Sequence, residues 1–242
     1  MSRPEPIWTR PAPGERKPAY SRELIARTAI ALADAEGFQA VSMRRLASEL
    51  GAGTMTLYHY VATKDELVSL IGDAIIGELI VPDHELPEGW RDGMAEIARR
   101  TRAVFNRHRW IVEQMDEGDP GTAGPNMMRH VEQTMLVTAR TGLEHVDQLQ
   151  IAGMVDDFVF GHAIRVAEHY GQEAGSRLDM MLDYFAAQFA TGDYPHLQAI
   201  YGDDPRGTFE RLSGEATEEQ RFETGLACLL DGIELWIERR RR

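Results

Sequence analysis

Residues 51–61 read GAGTMTLYHYV and follow SMRRLASEL at 42–50. The spacing predicts a helix over 43–50, a glycine-bearing turn over 51–53 and a short helix over 54–60. These are helix-turn-helix dimensions. Leu57 and Val61, four apart, are the inward residues of the short helix. Thr54, Met55, Thr56, Tyr58, His59 and Tyr60 are then left around its remaining surface. On a helix lodged in a major groove these side chains have work to do. Threonine hydroxyls bond phosphates or base edges, Met55 and the threonine methyls meet thymine methyls, and Tyr and His reach phosphates. Arg44, on the outer face of the preceding helix, is placed to fork onto a guanine. Lys64 stands where a helix N-terminus favours a phosphate. The same spacing also fits a plain helical hairpin with its aromatics packed inside.

Working outward, the 3.6-residue period recurs from Ser21 to the end, with no sustained alternation of the kind strands show. Ser21 caps a first helix that Gly37 ends, Ser42 caps the second and Gly51 stops it. Thr63 and Glu66 form a capping box for a fourth helix over 64–80. The break VPDHELPEG (81–89) separates two helical regions, because Pro82 and Pro87 cannot continue a helix. Further helices are expected at 89–107, 110–117, 125–141, 146–170, 176–191 and 217–239. DEGDPGTAGP (116–125) and GDYPHLQAIYGDDPRGT (192–208) read as loops. The expected organisation is an extended arm over 1–20, a head over 21–80 and a body over 89–242.

The chain has 242 residues and a net charge of −13, yet residues 1–64 hold nine basic against six acidic side chains. A basic quarter on an acidic chain suggests a head that faces a polyanion. Arg3, Arg10, Arg16 and Lys17 of the arm suit phosphates or a minor groove, or have no such role. A single cysteine, Cys228, excludes an internal disulfide framework and reads as a small core residue in LACLLDGI. No apolar run is long enough to span a bilayer, and the expected location is cytoplasmic. Asp156-Asp157 and scattered histidines form no triad, and no phosphate loop or nucleophile motif is present, so an enzyme is not expected. His108, His130, His145 and His169 lack ligand spacing. No metal and no cofactor are expected.

The run FQAVSMRRLASELGAGTMTLYHYVATKDELVSLI (38–71) closely resembles the DNA-binding domain of the TetR (tetracycline repressor) family of bacterial transcription regulators. The resemblance covers about residues 21–75. It implies an all-α fold, with a three-helix helix-turn-helix head that binds operator DNA as a homodimer. Carried over by position, Arg44 is the base reader of the second helix. Thr54, Met55, Thr56, Tyr58, His59 and Tyr60 meet bases and phosphates, and Ser42 and Lys64 hold the backbone. The name-giving repressor has a proline where this chain has Met55, so the operators should differ.

FETGLACLLDGIELWI (222–237) resembles, more weakly, the last helix of that family's C-terminal domain. By that resemblance 146–170 and 217–239 form a four-helix dimer bundle. Phe222, Leu226, Leu229, Leu230, Ile233, Trp236 and Ile237 recur at helical spacing and make the expected interface. The family implies release from the operator by a small ligand held in the body. The expected lining is Phe105, Trp110, Met115, Met127, Met128, Val131, Met135, Met154, Phe158, His162, Arg165 and Phe185, rich in methionines that adapt to varied apolar ligands. Plain core packing explains the same residues. The expected function is thus a homodimeric, ligand-released repressor. A regulator with no effector, or an activator, is the alternative.

Overall fold

The computed structural model describes residues 6–10, 20–115, 124–170, 174–189, 191–215 and 217–242. These form twelve α-helices, two 3-10 turns and no strand. The head holds α1 (Arg22–Glu36), α2 (Met43–Glu49) and α3 (Thr54–Tyr58), followed by α4 (Lys64–Leu79). Then come α5 (Trp90–Arg107), α6 (Trp110–Met115), α7 (Pro125–Ala139), α8 (His145–Tyr170), α9 (Ala174–Phe189), α10 (Pro195–Tyr201), α11 (Pro205–Glu215) and α12 (Glu218–Arg240). The chain divides into two compact units, 1–163 with 237–242, and 164–236.

The helix ends follow local chemistry. The Ser21 hydroxyl accepts from Leu24 N–H, that of Ser42 from Arg45 N–H and that of Thr63 from Glu66 N–H. Glu66 in turn accepts from Ala62 N–H at 2.7 Å. Gly37 and Gly51 end α1 and α2 with φ of 85° and 63°, a region closed to most side chains. One buried cluster joins Ile25, Ala29 and Ile30 of α1 to Leu46 and Ala47 of α2, Leu57 of α3 and Leu67, Leu70, Ile71 and Ile75 of α4.

The expected loop over 192–208 instead contains α10 and the start of α11. Pro195 and Pro205 stand at the first positions of these helices, where the missing N–H has no partner to lose. Phe185 belongs to this second unit, in a three-ring cluster with Phe189 and Tyr201 whose centroids lie 5.9–6.2 Å apart.

Part of the arm returns to the head. Ile7 is buried in the head cluster. The half-buried Arg22 guanidinium donates to the carbonyls of Ile7, Arg10 and Tyr60. Arg10 pairs with Glu66 at 2.6 Å, which takes it out of the expected DNA-tracking set. Arg3, Arg16 and Lys17 lie outside the described residues.

Candidate nucleic-acid interface

The glycine turn presents α3 with its inner side closed. Leu57 and Val61 are fully buried and anchor the helix. Met55 is 74% exposed and Tyr58 43%. His59 is exposed, and Thr54 and Thr56 are half-buried beside them. This is one continuous outward surface with two hydroxyls, a thioether, a phenol and an imidazole. Tyr60 leaves the set. Its ring is buried in the head cluster, and its carbonyl accepts from Arg22. Spacing alone does not show this, because an aromatic two residues past a short helix can turn either way.

Two adjacent arginines on α2 separate by environment. Arg45 is spoken for, with one nitrogen 2.9 Å from Glu36 and another 3.0 Å from Glu49. Arg44 is exposed beside it and reaches outward. Ser42 is exposed but spends its hydroxyl on the α2 cap. Lys64 is exposed at the first turn of α4, just after the Thr63 cap. An anion there meets backbone N–H groups and the positive end of the helix dipole.

Behind this surface lies a joint that the sequence reading missed. His108, 3% exposed, sits between two carboxylates: Nδ1 is 2.7 Å from Asp34 of α1, and Nε2 is 3.3 Å from Glu78 of α4. Trp110 donates its indole N–H to the same Asp34 oxygen at 2.7 Å and stacks on Phe38 at 5.2 Å. Trp110, expected to line a ligand pocket, is a member of this joint. A second tie runs from α4 to α7. Asp73 accepts from the N–H groups of Asn126 and Met127, so it caps α7 from another helix. Burial pushes its carboxyl above the ordinary range, against the lowering pull of those N–H groups.

The expected pocket residues scatter. Phe105 is buried and meets Phe160 at 5.3 Å, and Phe158 stacks with the buried His162. Met127, Met135 and Met154 are half-buried. Met128 and Val131 lie on the exposed side of α7, and Arg165 on an exposed side of α8. The Met115 side chain lies outside the described residues. The sequence reading set His130 aside as a poor metal ligand. Its Nδ1 is buried with no hydrogen-bond partner, and burial holds the ring below the usual histidine range, hence neutral.

Asp156, on α8, is pushed up to about 6, first by burial and then by Asp157. Its folded-state value lies above the unfolded one, so the native state holds a proton that the unfolded state releases. Stability therefore falls as pH rises from about 4 to about 6 and stays lower above that. Undiscounted, the shift corresponds to ~3 kcal/mol, and partial exposure reduces it to about 1–2. Asp156→Asn should raise the unfolding free energy by that amount at pH 7.5 and leave it nearly unchanged at pH 4, as denaturant titration at the two values would read.

Along α12, Phe222, Leu226, Leu230, Ile233 and Ile237 are buried within the single chain. They are committed to its own packing, so a partner would meet the other side. Leu229 and Trp236 are half-buried, while Cys228, expected in the core, is exposed, as are Gly232 and Leu235.

Comparison with known proteins agrees with this geometry. The family model for bacterial regulatory proteins of the tetR family matches residues 25–71, and that for the tetracyclin repressor-like C-terminal domain matches residues 82–237. The HTH-type transcriptional repressor DrrR1 of Streptomyces coeruleorubidus is 32% identical over 98% of this chain and 86% of its own length. The structure of the TetR family protein ActR of Streptomyces coelicolor in complex with (S)-DNPA superposes with a TM-score of 0.68 at 28% identity, covering 90% of this chain and 98% of that one. ActR in complex with actinorhodin superposes with a TM-score of 0.64 at 30% identity, covering 90% and 96%.

Proposed function

The chain belongs to the tetR family of bacterial regulatory proteins, and from that premise we propose a homodimeric repressor that a small molecule releases from its operator. It is a DNA-binding transcription regulator and not an enzyme. The observation that carries the proposal is the outward surface of α3 beside the uncommitted Arg44. It is an exposed reading surface on a helix too short to have any other use for Met55, Tyr58 and His59.

Arg44 and the α3 side chains read base edges, and Tyr58 and Lys64 hold phosphates. Tyr58→Ala and Lys64→Ala should each weaken binding by about tenfold on cognate and random duplexes alike, since phosphate contacts carry no sequence information. Arg44→Ala should cost about 1–3 kcal/mol on the cognate site and far less on random DNA. Fluorescence anisotropy on both duplexes separates the two. Equal losses everywhere for Arg44→Ala would remove it as a base reader.

A homodimer is supported by stripes that the chain leaves uncovered. On α8, Val146, Leu149 and Ile164 are exposed, and on α12 so is Leu235. A methyl group added at Gly153, Gly161 or Gly232 would meet nothing within 4 Å. Glycine inside a helix costs roughly 0.5–1 kcal/mol, and the chain's own packing gives no reason for these three. Close approach of a second copy does. Two heads then sit about 34–36 Å apart, one turn of DNA. Leu235→Glu should sediment as a monomer where the wild type sediments as a dimer, and a wild-type monomer would defeat the arrangement.

An effector acts only through unequal affinity for the DNA-competent and released states. The unpaired Nδ1 of His130 and the Phe105–Phe160 pair are the polar and aromatic groups that a ligand in the body would engage. Actinorhodin and (S)-DNPA, bound by the similar ActR, are the first compounds to try. The test has two stages. Selection from a random duplex pool should return a two-fold symmetric site, and a compound that raises the melting temperature should release that duplex. A pool that never enriches would overturn the DNA-reading assignment. A compound that binds but leaves the duplex in place would overturn the release mechanism.

A further inference from the structure

The stretch from Trp90 to Arg109 runs against the charge of the chain. It carries Arg91, Arg99, Arg100, Arg102, Arg107 and Arg109 against only Asp92 and Glu96, in a protein of net charge −13. Part of this charge is gathered around a cleft of about 540 Å³ between the end of α4 and α5, lined by Glu78, Glu96, Arg99, Arg100, Val104 and Arg107. Val104 forms a buried apolar floor. Arg100 Nε donates to the Glu78 carbonyl at 2.8 Å, and Arg107 donates to the Glu78 carboxylate at 2.6 Å. That same carboxylate faces His108 at 3.3 Å. Glu78 is thus the internal anion on which the cleft converges.

We propose that this cleft binds a small, multiply charged oxyanion, phosphoryl or polycarboxylate, which takes Arg107 from Glu78. A guanidinium is a planar fork matched to two oxygens of one anion. A monoanion gains little over the half-exposed Glu78 already in place. A dianion or trianion brings charge that several guanidiniums share. The inference is independent of the effector reading above, because the cleft is polar and open and involves neither His130 nor Phe105. Occupancy would reach the head through Glu78, the residue shared between the cleft and His108.

The test uses the full chain and two probes, inorganic pyrophosphate and citrate, titrated calorimetrically against chloride controls of equal ionic strength. At least one is expected to bind at millimolar concentration or tighter, and to raise the melting temperature by about 3–6 °C at tenfold excess over its Kd. Response to pyrophosphate alone assigns a phosphoryl ligand, to citrate alone a carboxylate ligand, and to both a general polyanion site. Arg107→Gln and Arg99→Gln, both exposed and conservative in size, should each weaken binding about tenfold. Glu78→Gln, which removes the competing carboxylate, should tighten it. Binding of neither probe overturns the site, as does full retention of binding in both arginine variants.

Discussion

A Leu57→Ala chain should unfold about 2–5 kcal/mol more easily than the wild type and lose sequence-specific DNA binding with it. Leu57 is fully buried at the meeting of α1, α2 and α4, so truncation leaves a cavity as well as lost apolar burial. The effect on DNA follows from the length of α3. A helix of five residues has almost no stability of its own. Gly53 at its start offers no side-chain cap, and Leu57 with Val61 is what fastens it. Denaturant midpoint and anisotropy should fall together. Tyr58→Ala is the contrast, since Tyr58 is exposed and outside the buried cluster, and it should keep the midpoint while losing affinity. If Leu57→Ala retained wild-type affinity, α3 would owe its shape to something other than this anchor.

Asp34→Ala should cost about 2–3 kcal/mol, on the order of two hydrogen bonds to a carboxylate taken from buried donors. One carboxylate oxygen serves both His108 Nδ1 and Trp110 Nε1, and its removal strands both. For a chain of this length that is roughly 4–12 °C of melting temperature. Asp34→Asn keeps an acceptor and should recover about half. Because the joint ties α1 to the turn between α5 and α6, Asp34→Ala should also loosen the dependence of DNA affinity on whatever binds the body. Amide exchange at α6 and at α1 is the direct readout. Unchanged protection in both would reduce Asp34 to a surface residue.

What was legible in the sequence was local. Ser21, Ser42 and Thr63 cap helices through hydrogen bonds that span three residues, and Gly37 and Gly51 occupy turns that need a left-handed residue. The exposed recognition surface followed from an i, i+4 pair. What was not legible depended on distant partners. Trp110 and His108 read as body residues because Asp34 lies 76 and 74 positions away. Asp73 gives no local hint that it caps a helix 53 residues on. The fate of Tyr60 was decided by the core and not by its neighbours in sequence. The buried side of α12 is legible as apolar, but periodicity does not say whether the chain itself or a second copy covers it. The stretch 192–208 was read as a loop, yet Pro195 and Pro205 each open a helix there, since proline is tolerated at a first helical position.

The brevity of α3 bears on what can be moved from this protein to another. A synthetic peptide of residues 51–61 would be a coil in water, so it would neither mimic nor inhibit the parent on its operator. A graft of Met55, Tyr58 and His59 onto an unrelated surface helix would carry the letters without the pose. The smallest portable reading head is α1 through α4, taken with the strap around Ile7 that closes its back.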